Sequence, residues 1–514
     1  QEERARAAGD EAEANRLGLR QAQLLTALQR KEEAAGRFAS ILARDPDDAE
    51  AFAAMEALLE EGETAVRAAE VLTEVYEKQG AWQKLRRALE IRLSASTDPA
   101  FRLATLRRLA TIAGRELRDP ALAFDALARA FREAPAEALL RSELRVAAGQ
   151  AGKLAELAVV MTEVADRLHT TGPLQQAIAI ERELAELYEK RLGDPAAAAA
   201  RHRRIVAADP RNMEALKALH RIQPAIGAWT EQYETCMALA ALGRDGAEKR
   251  AFWREAVDVA SRELRAGDLA LAALWLLAEA EPGDAALLAE LEALAADQQD
   301  WDACAWALER QAETDADAAC RLAVVRREKL GEAEEALRLL DRVLAADSRH
   351  ELARKTLAAW AQDDEAARRR LDGAYAAAGD HEARVALREA QLAAAVDPEI
   401  RRGLHEELVA IHERDQGSAA LAFVAAARGF AECPELEGTL ERLAAATGSW
   451  EELVAIYEEA AEERPALLRR IAQIKGRELD DADGAAAAWT ALLASAPDDE
   501  EALEALASLH AAAE

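Results

Sequence analysis

The chain has 514 residues, 51% of them hydrophobic and only 4% aromatic, and 131 are alanine. Its 65 basic and 96 acidic side chains leave a net charge of −31. This balance excludes a disordered chain, because alanine and leucine supply ample surface to bury; it also excludes a phosphate-reading basic face, and no run approaches the ~18 uncharged apolar residues of a membrane span.

From the N-terminus onward, seven segments close alike, at residues 44–46, 133–135, 208–210, 280–282, 346–348, 432–434 and 495–497. Each closing residue is preceded, twelve positions back, by alanine: Ala34, Ala123, Ala198, Ala270, Ala336, Ala422 and Ala485. Four residues after each alanine stand Phe38, Leu127, His202, Leu274, Leu340, Ala426 and Trp489. An offset of four keeps both on one helical face, where a small residue lets a neighbouring helix approach and a larger one fills the gap beside it.

A second landmark alternates with the first. Trp82, Trp229, Trp301 and Trp450 are 147, 72 and 149 residues apart. Glycine precedes three of them by two positions, in Gly80-Ala81-Trp82, Gly227-Ala228-Trp229 and Gly448-Ser449-Trp450; Gly152-Lys153-Leu154 and Gly379-Asp380-His381 fall where further copies are due. The tetrapeptide GREL at 114–117 returns at 476–479. The unit is about 72 residues.

The last repeat predicts four helices. Trp450, Leu453 and Tyr457 mark the first, Leu467, Ile471 and Ile474 the second, Ala485, Trp489 and Leu492 the third, and Leu503 with Leu506 the fourth. Pro465, Gly484 and Pro497 punctuate them, and acidic residues crowd the starts, as the helix dipole favours. No period-2 run of β-branched residues appears, so no sheet is expected.

These residues resemble the tetratricopeptide repeat, a helix hairpin with W-x₂-L-G-x₂-Y, then A-x₃-F, then P. Trp450, Leu453 and Tyr457 match its first part, and Ala34, Phe38 and Pro46, like Ala485, Trp489 and Pro497, match its second. Val454 replaces the glycine, alternate hairpins carry different halves of the signature, and HAT-type and Sel1-like repeats stay open as relatives. The resemblance implies an all-α, right-handed superhelical solenoid of about fourteen stacked antiparallel hairpins. It would form a single continuous array over 1–514, expanded near 60–75 and 361–400, with both ends cut from a longer, bacterial-looking protein.

No phosphate loop, HExxH or GxSxG is present, so no catalytic residue and no cofactor is expected, and the chain reads as a non-enzyme. His405 and His412, with Glu406, Glu407 and Glu413 nearby, read as two solvated histidines on a charged helix rather than a metal site. Asp480, Asp481 and Asp483 read as a helix N-cap rather than a calcium loop. Cys236, Cys304, Cys320 and Cys433 lack CxxC spacing and read as buried free thiols; Cys304 and Cys320 could pair only if a hairpin aligned them.

The tryptophans Trp82, Trp229, Trp301 and Trp450 read as core, since their period is that of packing. Trp306, five residues beyond Trp301, cannot share its face. By family resemblance that offset points to the concave groove in which such repeats hold peptides, and it also marks Arg87, Glu90, Glu309, Arg310, Glu451, Glu458 and Glu459. A carboxylate clamp is not expected, with two asparagines and ten lysines in the chain. The resemblance implies a scaffold whose partners are proteins or peptide segments, basic or amphipathic, with no nucleic acid, no membrane insertion, and self-association open. An architectural strut of an envelope, secretion or motility assembly, or the regulatory arm of an enzyme encoded elsewhere in the protein, are the alternatives. The expected compartment is the cytoplasm, or the periplasm if a signal peptide lies upstream of Gln1.

Overall fold

The computed structural model describes residues 11–62 and 64–513; Gln1 and Glu514, where the chain reads as cut, lie outside them. Among the described residues there are 29 α-helices and no strand. The chain divides into two compact bodies, residues 1–280 and 281–514.

In the N-terminal body the helices are α1 (Glu11–Ala27), α2 (Lys31–Leu42), α3 (Ala49–Leu58), α4 (Ala65–Lys78), α5 (Trp82–Ala95), α6 (Pro99–Thr111), α7 (Pro120–Glu133) and α8 (Ala138–Ala151). They continue with α9 (Leu154–Thr171), α10 (Leu174–Leu187), α11 (Pro195–Ala208), α12 (Met213–Ile222), α13 (Trp229–Leu242), α14 (Gly246–Asp258) and α15 (Gly267–Ala280). The C-terminal body holds α16 (Ala285–Asp297), α17 (Trp301–Gln311), α18 (Ala316–Glu328), α19 (Ala333–Ala346), α20 (Glu351–Trp360), α21 (Glu365–Ala378) and α22 (His381–Ala394). After these come α23 (Pro398–Ala410), α24 (Ala419–Phe430), α25 (Glu437–Thr447), α26 (Trp450–Ala460), α27 (Leu467–Arg477), α28 (Ala482–Ser495) and α29 (Glu500–Ala513). Packing follows chain order: α4 lies on α5, α9 on α10, α13 on α14, α16 on α17, α18 on α19 and α27 on α28.

Local chemistry explains where helices begin. The Asp98, Asp119, Asp194 and Asp397 carboxylates each accept a backbone N–H of the first turn, and each is followed by proline at the first helical position. Asp481 caps α28 by accepting from Gly484 N at 2.8 Å. Much of the acidic excess therefore serves as helix caps.

Helix ends obey an equally strict rule. Among the described residues every positive φ falls at one of two repeat positions. Seven stand five residues before a landmark alanine: Gln29, Arg118, Gly193, Arg265, Gly331, Gly417 and Asp480. The other six stand two residues before the tryptophan position: Gly80, Gly152, Gly227, Gln299, Gly379 and Gly448. The Gly-x-Trp pattern is thus a left-handed helix stop followed one residue later by a new helix, and Gln299 takes the glycine's place before Trp301.

The seven landmark alanines are all buried, between 0% and 7% exposed. At two of them the reason is direct: a Cβ on Gly114 would lie 3.6 Å from Ala123 Cβ, and one on Gly476 3.4 Å from Ala485 Cβ. The GREL glycine and the landmark alanine are the two sides of one close helix contact. Trp82, Trp229, Trp301 and Trp450 are half-buried rather than enclosed, and Trp82 and Trp450 pack against the core from its edge. They open their helices, so part of each indole stays at the loop end, whereas Leu453 and Tyr457 one and two turns on are fully enclosed.

Four of the six intervals between landmark helices contain four helices, and two contain five. The fifth helix is α4 in one and α21 in the other, filling the two long spacings. The repeat extends to individual bonds. Arg102 Nη1 donates to the Leu93 and Ser96 carbonyls, at 2.8 and 3.0 Å, and the side chain pairs with Glu133. Arg401 Nη1 donates to the Leu392 and Ala395 carbonyls, at 2.7 and 2.9 Å, and its side chain pairs with Glu432.

Candidate functional site

In the C-terminal body, α17, α18 and α19 enclose an open cleft of about 710 Å³. Its floor is apolar, formed by Leu322, Leu339 and Val343, and its rim carries Glu309, Glu313, Asp315 and Glu335 against Arg326 and Arg342. Asp315 is placed by its own duty as the cap of α18, accepting from Asp317 N at 2.9 Å. Arg326 bridges the rim, pairing with Glu309 and with Glu332 at 2.7 Å. Elsewhere on α17 the Arg310 guanidinium lies 3.5 Å from the centre of the Trp306 ring and donates to the Trp306 carbonyl at 3.0 Å. That stacking fixes a flat, half-buried aromatic and cationic surface on α17.

Of the residues read as groove positions, Glu309 lines this cleft, with Trp306 and Arg310 on the same helix. The others stand elsewhere. Arg87 pairs with Glu60 at 2.6 Å and ties α5 to the turn after α3, and Glu90 accepts from Arg129 at 2.9 Å and ties α5 to α7. Glu458 pairs with Lys475 at 2.6 Å, while Glu451 and Glu459 are exposed on α26.

The histidines on α23 depart from expectation. His405 is buried, not solvated: it packs where a Cβ on Gly429 would come within 2.7 Å of its Nδ1, and its Nε2 faces Glu432 at 3.6 Å. His412 lies in a wide π-type turn at 411–415 and meets Gln416 Oε1 at 2.8 Å. All four cysteines are free and buried, and burial pushes Cys304 and Cys320 up to about 11.

The sequence reading missed a polar cluster in the N-terminal body. His220 on α12, Gln232 and Cys236 on α13, and Glu255 on α14 meet inside the stack. His220 Nε2 lies 2.8 Å from Glu255 Oε2, and Gln232 Nε2 donates to Glu255 Oε1 at 2.9 Å. Burial first, and the Glu255 charge second, push the Cys236 thiol up to about 12. His220, Cys236 and Glu255 are 16 and 19 residues apart, so no motif scan finds them; the signal available was positional, since Gln232 and Cys236 stand three and seven residues after Trp229, as Leu453 and Tyr457 do after Trp450.

Among the described residues no helix is long and apolar enough to cross a membrane. No protein-family model matches the chain, and no curated protein matches it. Among solved structures the chain aligns with the Naa15/Naa10 complex bound to HypK-THB at 14% identity and a TM-score of 0.23, covering 99% of this chain and 95% of that one. A tetratricopeptide repeat protein from Parabacteroides merdae ATCC 43184 aligns at 16% identity and a TM-score of 0.21, covering 49% of this chain and 96% of that one. The APC/C hetero-tetramer Cut9-Hcn1 aligns at 12% identity and 0.18, covering 99% and 95%. At such scores the superpositions carry no argument; the repeat architecture rests on this chain's own helix order and backbone.

Proposed function

We propose that the chain is a non-enzymatic scaffold that holds a peptide segment of a partner protein in the cleft of α17, α18 and α19. The observation that carries this reading is the lining itself: an apolar floor of Leu322, Leu339 and Val343 inside a rim of four carboxylates and two guanidiniums. An amphipathic segment would bury its apolar face on that floor and set basic side chains against Glu313, Asp315 and Glu335. The Trp306–Arg310 stack offers a rigid edge of the kind that anchors binding energy.

Selection of a displayed random-peptide library on the purified chain tests the proposal. The selected peptides are expected to carry lysine or arginine with apolar residues at i, i+3 or i+4. Their binding should fall at least tenfold in Leu339→Asp, and for the basic peptides in Glu313→Lys. Peptides of no common pattern, or binding indifferent to both substitutions, would sink the assignment of this cleft.

A further inference from the structure

The geometry points to a zinc site in the N-terminal body, held by His220, Cys236 and Glu255. Three successive helices, α12, α13 and α14, each contribute one donor, and the donor atoms all lie within 4.8 Å of one another. Cys236 is fully enclosed, while the His220 and Glu255 side chains keep 29% and 39% of their surface on the solvent side.

The repeat supplies the comparison for this placement. Residues three and seven after the tryptophan position are Leu85 and Leu89, Leu157 and Met161, and Leu453 and Tyr457 in three other repeats, all buried and packing the core. Here they are Gln232 and Cys236, both 0% exposed. An amide at a core position forfeits packing and must be satisfied, yet Gln232 Oε1 is buried without a hydrogen-bond partner. Its Nε2 reaches Cys236 Sγ at 3.6 Å as well as Glu255. The repeat opened by His381 also carries polar residues there, Arg384 and Arg388, but both are ion-paired with Asp372; at Gln232 and Cys236 the helices on either side instead direct an imidazole and a carboxylate at the same point. Local breaks in an otherwise consistent pattern are where function sits.

The donor set selects the metal. Imidazole nitrogen, thiolate sulfur and carboxylate oxygen together suit zinc, whereas magnesium and calcium require oxygen shells. Zinc bonds of about 2.0–2.3 Å in a tetrahedron would place the donors about 3.3–3.6 Å apart. The thiol must therefore close in by about 1 Å, and the His220–Glu255 pair must open by about half of that. Two anionic donors neutralise the dication, which makes the site tolerable inside an apolar stack. The fourth position faces the solvent side of His220 and Glu255, where water completes the tetrahedron. Gln232 Nε2 then donates to the bound thiolate and carboxylate, orienting both. Coordination displaces the Cys236 proton to solvent and pins three helices at one point.

Titration of the full chain, reduced and stripped with a chelator, with zinc and with cobalt(II) tests the site. One equivalent should bind per chain. Cobalt should give a thiolate-to-metal charge-transfer band with tetrahedral d–d bands, and zinc should raise the melting temperature. Cys236→Ser should lose the band and the zinc-dependent shift, Cys433→Ser should keep both, and Gln232→Leu should weaken binding about tenfold or more. Circular dichroism reports whether Cys236→Ser folds; if it does not, His220→Gln and Glu255→Gln, at half-exposed positions, carry the same comparison. A folded wild-type chain that takes up no stoichiometric zinc or cobalt, or a Cys236→Ser chain that keeps the band and the shift, overturns the proposal.

Discussion

His202 occupies the position four residues after a landmark alanine, where other repeats bury Phe38, Leu127, Leu274 and Leu340. It too is buried, at 8% exposure, and its Nδ1 has no hydrogen-bond partner. Burial pulls its pKa below the usual histidine range; Glu189 and Glu214 oppose this, while Arg221 and Arg182 add to it. The folded state therefore prefers the neutral ring and binds fewer protons than the unfolded chain. Stability from this group is present above about pH 6.5, the unfolded value, and is lost as pH falls through the depressed folded value. His202→Leu, which restores the residue of three other repeats, should stabilise the chain by about 1 kcal/mol at pH 7, because an unsatisfied buried nitrogen disappears. The gain should widen toward pH 5. Urea titrations at both pH values measure it, and a variant no more stable than wild type at pH 5 would show that His202 is not the group responsible.

Helix contacts belong to the next scale, and here glycine and alanine set the distance. A Cβ added to Gly476 would meet Ala485 Cβ at 3.4 Å, an ordinary contact, so Gly476→Ala should leave the melting temperature unchanged or raise it through better helix propensity. Ala485→Leu has no such room and should cost about 1–3 kcal/mol as α27 and α28 are forced apart. Equal melting of the two variants would mean that this close approach does not hold the helices. The alanine landmarks, the glycine stops and the Asp-Pro starts were legible because each is a local requirement repeated along the chain. The half-burial of Trp82, Trp229, Trp301 and Trp450 was not, because periodicity reports which residues share a place but not how far that place is from a helix end. The ion pairs of Arg87 with Glu60 and of Glu90 with Arg129 were not legible either, because the partners stand far off in sequence. His220, Cys236 and Glu255 converge only once three helices are stacked, so no spacing announces them.

At the scale of the whole molecule, the array should behave as a chain of neighbours rather than as one core. Helices pack chiefly on those beside them in sequence, and in such arrays stability is close to a sum of repeat and nearest-neighbour terms. Tyr457 gives a sharp test in the C-terminal body. It is fully buried, its ring centre lies 5.3 Å from that of Phe430, and its hydroxyl donates to the Glu437 carbonyl at 3.4 Å. Tyr457→Ala leaves a cavity and should cost about 3–5 kcal/mol locally. Native-state hydrogen exchange should then show protection falling in α24, α25, α26 and α27, the elements around the lost ring, while amides of α4 to α9 keep their wild-type rates. A loss of protection spread evenly over both bodies would mean that the chain unfolds as one cooperative unit, and nearest-neighbour stacking would no longer describe what holds it together.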